Sequence, residues 1–205
     1  MKFKHHLDYG REILRAHKIK SKAFLIGCVL PDMNFVYPPH NVRYTHRRFE
    51  KKLKKTCKHI ENNKTGILDM IRAGECMHYA CDYFCYSHNN HSYGLPHKRY
   101  ETGYFEYYNS ENKKDSNILK SINKIIKLSD EENEEITSNN LESDILNNLW
   151  ALHRYYIKVS DIEKEKEKFS KLYKQYKIDT TLRREFTSQV FYKLLLEIDK
   201  NTKIN

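Results

Sequence analysis

The sequence predicts an all-α fold, a multi-helix bundle built as a single domain over residues 1–205. Three observations predict it. The chain has 205 residues, enough to enclose a hydrophobic core. Only 6 Gly and 4 Pro are present, too few for the tight turns of an all-β chain and suited to long helices with short joints. Apolar residues recur with helical spacing in about seven or eight segments, and no segment reads as a strand.

Taken in order, His6 to Lys18 has helical periodicity, with Leu7, Ile13 and Leu14 able to share a face. Ser21 is placed to cap a short helix running to Leu30, which Pro31 closes. Residues 32–44, DMNFVYPPHNVRY, read as a loop, and Thr45 starts a basic helix to about His59. Asn62 to Thr65 breaks the chain, and Thr65 can cap a helix from Gly66 to about Ser87. That helix is apolar on most sides, so it is central to the bundle. Pro96 suits the first turn of the next helix, which runs through Tyr108. Ile118 to Leu128 is amphipathic, and Asp130 to Asn140 is an acidic connector. Leu141 to Val159, Asp161 to Tyr176 and Thr180 to Ile198 read as three further helices, scaffold without a cluster of chemical groups.

The formal net charge is +10, and the run from Arg43 to Lys58 carries eight Lys and Arg against one acid, Glu50. Such a run suits an anionic membrane surface or a nucleic-acid backbone, or is simply a solvated helix face. MKFKHHLDYG has charge with no apolar core behind it, and AFLIGCVL, Ala23 to Leu30, falls far short of the roughly 20 residues of a membrane span. The expectation is a cytoplasmic protein that meets a membrane, if at all, at its periphery. Five cysteines, an odd number without a leader, do not form a disulfide framework. Cys81 and Cys85 lie one turn apart but lack the paired spacing of a zinc ribbon, and read as small packed thiols.

The stretch from His78 to Glu101, HYACDYFCYSHNNHSYGLPHKRYE, holds four histidines and two acids in 24 residues. His78 and Asp82 are four apart, so a helix sets both on one face; His97 and Glu101 repeat the spacing. An imidazole and a carboxylate so placed can grip one ion, and zinc accepts such mixed nitrogen and oxygen donors. His88 follows Asp82 by six residues, and a continuing helix would aim it away. A helix end near Ser87 lets it turn toward His97 and Glu101. One histidine on an apolar helix is usually a hydrogen-bonded core residue, with Asp82 its partner. Two such pairs plus a third histidine on apolar segments favour a metal cluster at the centre of the bundle. Glu75, one turn before His78, is a candidate acceptor to orient that ring. His40 and His91 read as loop residues, and His17, His59 and His153 as surface or packing residues.

These motifs resemble those of the zinc-dependent phospholipases C. The family pattern HY-x2-D-x5-H, then H-x3-E, stands here as HYACDYFCYSH and HKRYE with every spacing kept. Asp32 and His46, fourteen apart, and His6 in HHLDYG also correspond, so the resemblance spans residues 6–101. Fungal single-strand-specific zinc nucleases share the fold and a similar site. The resemblance implies a zinc-dependent phosphodiester hydrolase with two zinc ions and room for a third. His46, His78 and Asp82 would hold one, and His88, His97 and Glu101 the second. His6 and a bridging oxygen of Asp82 would hold the third, with Asp32 as general base on the attacking water. In secreted relatives the third ion also takes the amino group of an N-terminal Trp. Here Met1 opens the chain, so His5, the Met1 amino group or neither completes that site.

The substrate implied is a phospholipid, cleaved to diacylglycerol and a phosphorylated head group, or another phosphodiester. Where choline-cleaving relatives carry aromatics, this chain has Met33 and Arg43. Arg43 suits an anionic head group, while Phe35, Tyr37 and Tyr44 remain to line the substrate. An anionic membrane surface could meet residues 43–58. Two other readings stand beside this one: a nuclease or nucleotidase on the same fold, and a metal-binding protein without catalysis.

Overall fold

The computed structural model describes residues 3–33, 42–89, 95–114, 138–159, 169–187 and 191–204. These form α1 (Phe3–Ala16), α2 (Lys22–Val29), a 3-10 turn (Leu30–Asp32), α3 (Val42–Glu61) and α4 (Ile67–Tyr83). There follow α5 (Tyr86–Asn89), α6 (Leu95–Lys114), α7 (Ser138–Val159), α8 (Phe169–Phe186) and α9 (Tyr192–Ile204). No strand occurs among the described residues, and no helix there is long and apolar enough to cross a membrane. The fold is all-α, as the scarcity of turn residues predicts.

Local chemistry explains several helix ends. Ser21 Oγ accepts from the Phe24 N–H (3.1 Å) and starts α2, and Pro31 sits in the turn that follows. α1 and α3 both close on a residue in the left-handed region, Lys18 (φ 55°) and Asn63 (φ 52°). In each case the next N–H reaches back five residues, Ile19 to Leu14 O (2.9 Å) and Lys64 to His59 O (2.8 Å). α4 is capped at Gly66 rather than Thr65: the Gly66 N–H donates to Asp69 Oδ2 (3.0 Å).

α4 is the axis of the bundle. Every residue from Ala73 to Tyr83 is buried, and α1, α2, α3 and α9 all pack on it. A helix apolar on all sides can only be covered on all sides. α2 lies so close that a Cβ on Gly74 would stand 2.1 Å from Phe24 O, and one on Gly27 would stand 2.0 Å from Ile71 O. The two glycines therefore set the α2–α4 distance.

Several boundaries depart from the sequence expectation: α1 already begins at Phe3, and α6 runs past Tyr108 to Lys114. α3 begins at Val42 rather than Thr45. α4 stops at Tyr83, short of Ser87, because Phe84 leaves the helical region (φ −100°, ψ 37°). α8 runs unbroken through residues 176–180, where a helix break was expected. Thr180 does not cap a new helix there; its Oγ donates back to Tyr176 O (2.9 Å) within the old one. The expected helix 118–128 and most of the acidic connector lie outside the described residues.

Candidate metal centre

Two clusters of donors meet near the C-terminal end of α4. His6, Asp32 and His78 each offer one donor atom, all within 4.8 Å of one another; His88, His97 and Glu101 do the same. α1 supplies His6, the turn after α2 supplies Asp32, and α4 supplies His78 and Asp82. α5 carries His88, and α6 carries His97 and Glu101.

Asp82 lies between the clusters. Its Oδ1 is 3.5 Å from His6 Nε2 and 3.4 Å from His88 Nε2, and its Oδ2 is 3.2 Å from His78 Nε2. The early end of α4 makes this possible. The Cys85 N–H turns back to Asp82 O (3.1 Å) and the His88 N–H to Cys85 O (3.1 Å), which swings His88 onto the Asp82 face. Asp32 Oδ2 is 3.7 Å from His6 Nε2, and its Oδ1 is 3.6 Å from His78 Nε2. Glu101 Oε1 is 2.9 Å from His97 Nε2 and 3.6 Å from His88 Nε2.

These distances test whether the donors fit zinc. Bonds of about 2.0–2.1 Å in a tetrahedron place neighbouring donors about 3.3–3.4 Å apart. A hydrogen bond would draw them to about 2.7–3.2 Å. Apart from the 2.9 Å His97–Glu101 and 3.2 Å His78–Asp82 pairs, the spacings run from 3.4 to 3.7 Å. Both ring nitrogens of His6 are buried without a hydrogen-bond partner, although a buried imidazole normally has one. The rings of His6 and His78 stack 3.7 Å apart. The donor set fits zinc.

Supporting hydrogen bonds fix the ring tautomers. His78 Nδ1–H donates to Cys28 O (2.9 Å) and His97 Nδ1–H to Ser87 O (3.3 Å), leaving each Nε2 lone pair for a ligand. The electrostatics favour a bound cation. Burial pushes the Asp82 carboxyl up, but His88, His78 and His6 outweigh it and hold the group well below the carboxylate range. Burial opposes the ionised form of Glu101 too, yet hydrogen bonds from His88 and His97 keep it low. Burial pushes His6 well down and His88 down to about 4, so both rings stay neutral. Burial also presses on His78, but the Asp82 carboxylate raises it above the ordinary value.

Other expected residues are placed differently. His46 joins neither cluster: its ring lies 4.1 Å from that of Trp150, and its Nε2 is 3.3 Å from Glu50 Oε1. His6 lies 3.5 Å from Asp82 Oδ1, the oxygen its expected third site would share, and it also groups with Asp32 and His78. His5 packs edge-on against Tyr104, Phe105 and Tyr108, because α1 is already helical at Phe3 and turns it about 100° from His6. Glu75 pairs with Lys52, and Cys28 O supplies the acceptor for His78. Cys81 and Cys85 are buried, with thiols pushed up by burial to about 12 and about 11, so both stay protonated. Met1 and Phe35 lie outside the described residues, as do the side chains of Arg43 and Tyr44.

Sequence reasoning missed the residues that brace α5. Asn89 Nδ2–H donates to Tyr83 O and Cys85 O (both 2.9 Å), and its Oδ1 accepts from His153 Nε2 on α7 (3.0 Å). The only available signal was SHNN itself, a helix-stop pattern that does not name its partners.

No curated protein and no solved structure matches the chain. A family model described as zinc dependent phospholipase C matches residues 3–163, which include every donor named above. The chain therefore belongs to the zinc-dependent phospholipase C family.

Proposed function

We propose that the protein hydrolyses the phosphodiester of a phospholipid, using two zinc ions. His6, Asp32 and His78 hold one, His88, His97 and Glu101 hold the other, and Asp82 lies between them. The observation that carries the reading is the pattern of exposure. The Asp82 side chain is 0% exposed, whereas that of Asp32 is 20% and that of His97 is 24%. The centre is thus sealed behind Asp82 and open to water and substrate along the Asp32 and His97 side.

Bound zinc supplies a Lewis acid for the phosphoryl oxygens and lowers the pKa of water to near neutrality. With one oxygen toward the first zinc, Asp32, the open carboxylate, would accept a hydrogen bond from the attacking water on its other oxygen and take its proton. The water oxygen bonds to phosphorus, the bond from phosphorus to the glycerol oxygen breaks, and that oxygen leaves with a proton taken from solvent water. Diacylglycerol and a phosphorylated head group result. Cys28 O and Ser87 O hold the rings of His78 and His97 in register throughout.

The surface supports a membrane substrate. Arg47, Lys51, Lys54, Lys55 and Lys58 are all exposed on one face of α3. Just beyond them Ile67 and Leu68, 69% and 63% exposed, begin α4. A cationic stripe ending in an apolar pair suits an anionic bilayer, where lipid phosphates meet the lysines and acyl chains meet the apolar pair. The test is a substrate panel on zinc-loaded protein: vesicles of differing head group, single-stranded DNA and RNA, and an activated phosphodiester. Hydrolysis of vesicles supports the reading. Cleavage of nucleic acid alone assigns a nuclease, and zinc uptake without any hydrolysis assigns a binding protein.

A further inference from the structure

We propose that Asp179, on α8, is a positioning residue for the second zinc group: it staples together the two chain segments that carry that group's ligands. The proposal rests on the zinc reading above.

One oxygen makes the staple. Asp179 Oδ2 accepts from the Tyr86 backbone N–H (3.2 Å) and from the Tyr100 hydroxyl (2.8 Å). Tyr86 opens α5, two residues before His88. Tyr100 lies on α6 between His97 and Glu101. A four-residue helix such as α5 has no stability of its own, so its direction is set by what holds it. Through Asp179 that direction is tied to α6, and with it the position of His88 against His97 and Glu101.

The staple is itself anchored. Asp179 is fully buried, and its Oδ1 accepts from the Tyr156 hydroxyl (3.0 Å) and Gln175 Nε2–H (2.8 Å). One turn on, Arg183 Nη2–H donates to Phe84 O (3.0 Å), at the residue where α4 ends. The Arg183 guanidinium also lies over the Tyr104 ring of α6, 4.6 Å from its centroid. α8 thus grips all three segments around the second group. It begins at Phe169, beyond the residues 3–163 that the family model covers, so this support comes from the chain's own C-terminal part. The first group stands on α1, the α2 turn and α4, and does not pass through Asp179.

The test is a zinc titration of chelator-stripped protein against a competing chromophoric chelator. His97→Ala identifies the step that belongs to the second group. Asp179→Asn keeps the volume but turns an acceptor oxygen into a donor. It is expected to weaken second-group affinity by about 10–100-fold, the usual loss on removing an outer support. The first group should lose clearly less, since Asp179 bonds to none of its segments and reaches it only through the shared Asp82. Tyr100→Phe deletes a single hydroxyl and carries the test if Asp179→Asn does not fold; its expected loss is selective and about threefold or more. Circular dichroism checks that both variants keep their helix. Equal weakening of both groups, or of neither, overturns the proposal. Wild-type protein that takes up no zinc at all overturns the zinc reading beneath it.

Discussion

Gly74→Ala perturbs the frame of the metal centre without touching a donor. The new Cβ would stand 2.1 Å from Phe24 O and 2.8 Å from Cys28 N and from Gly27 Cα. All three are backbone atoms, so no side chain can swing aside. Restoring ordinary van der Waals contact, about 3.5 Å, pushes α2 away from α4 by more than about 1 Å. α2 leads into Asp32 and supplies Cys28 O to His78, while α4 carries His78 itself. Zinc sites tolerate donor shifts of about 0.2 Å, several times less than this displacement. Overpacking of this kind costs about 1–3 kcal/mol, and rigid backbone places it at the upper end. At about 2–4 °C per kcal/mol for a chain of this length, the melting temperature should fall by about 5–10 °C. First-group zinc affinity should drop by about tenfold or more, with the second group little changed. Gly66→Ala is the control, since a Cβ there meets nothing within 4 Å; it should cost under about 1 kcal/mol as an altered N-cap. Thermal unfolding of metal-free protein and zinc titration of each variant make the measurement. A Gly74→Ala protein with unchanged melting and unchanged zinc affinity would refute the argument that this close approach sets the Asp32–His78 distance.

Other predictions follow from the site and surface. Asp32→Asn at saturating zinc should slow vesicle hydrolysis by about 100-fold or more; near-normal turnover would remove Asp32 from its role on the water. In a His6→Ala background, where the second group fills alone, zinc binding near pH 6 should release about one proton. It comes from His97, whose hydrogen bond to Glu101 raises it above the ordinary value, and not from His88, which burial pushes down to about 4. Protonated His97 competes with zinc, so release should fade as pH rises above the His97 range. Calorimetry in buffers of different ionisation heat counts the protons, and two released would contradict the neutral state of His88. Lys51→Glu combined with Lys55→Glu should weaken binding to phosphatidylserine-containing vesicles by about tenfold or more at low salt, with a smaller effect as salt rises. Unchanged co-sedimentation would show that α3 is not the membrane face.

The sequence was most legible where a spacing maps directly onto a helix. His78 with Asp82, and His97 with Glu101, needed only the helical repeat, and α4 could be recognised as central because it is apolar on every side. His88 was legible by elimination, since an unbroken helix would have misdirected it. His46 was not, because its direction depends on Trp150, more than a hundred residues away in sequence. Asp179 was hidden for a related reason. Asp and Thr in succession suggest a helix start, whereas here both side chains serve tertiary contacts inside a continuing helix, with tyrosines from α6 and α7 as partners. Local patterns report a residue's own backbone well, but not which distant side chain satisfies a buried polar group.

The most direct test of the account is anomalous scattering at the zinc edge from crystals of zinc-loaded protein. Two peaks are predicted, each about 2.0–2.2 Å from its donors: one at His6 Nε2, His78 Nε2 and Asp32, the other at His88 Nε2, His97 Nε2 and Glu101. A map without zinc at these donors, or with zinc bound instead at Cys81 and Cys85, would contradict it.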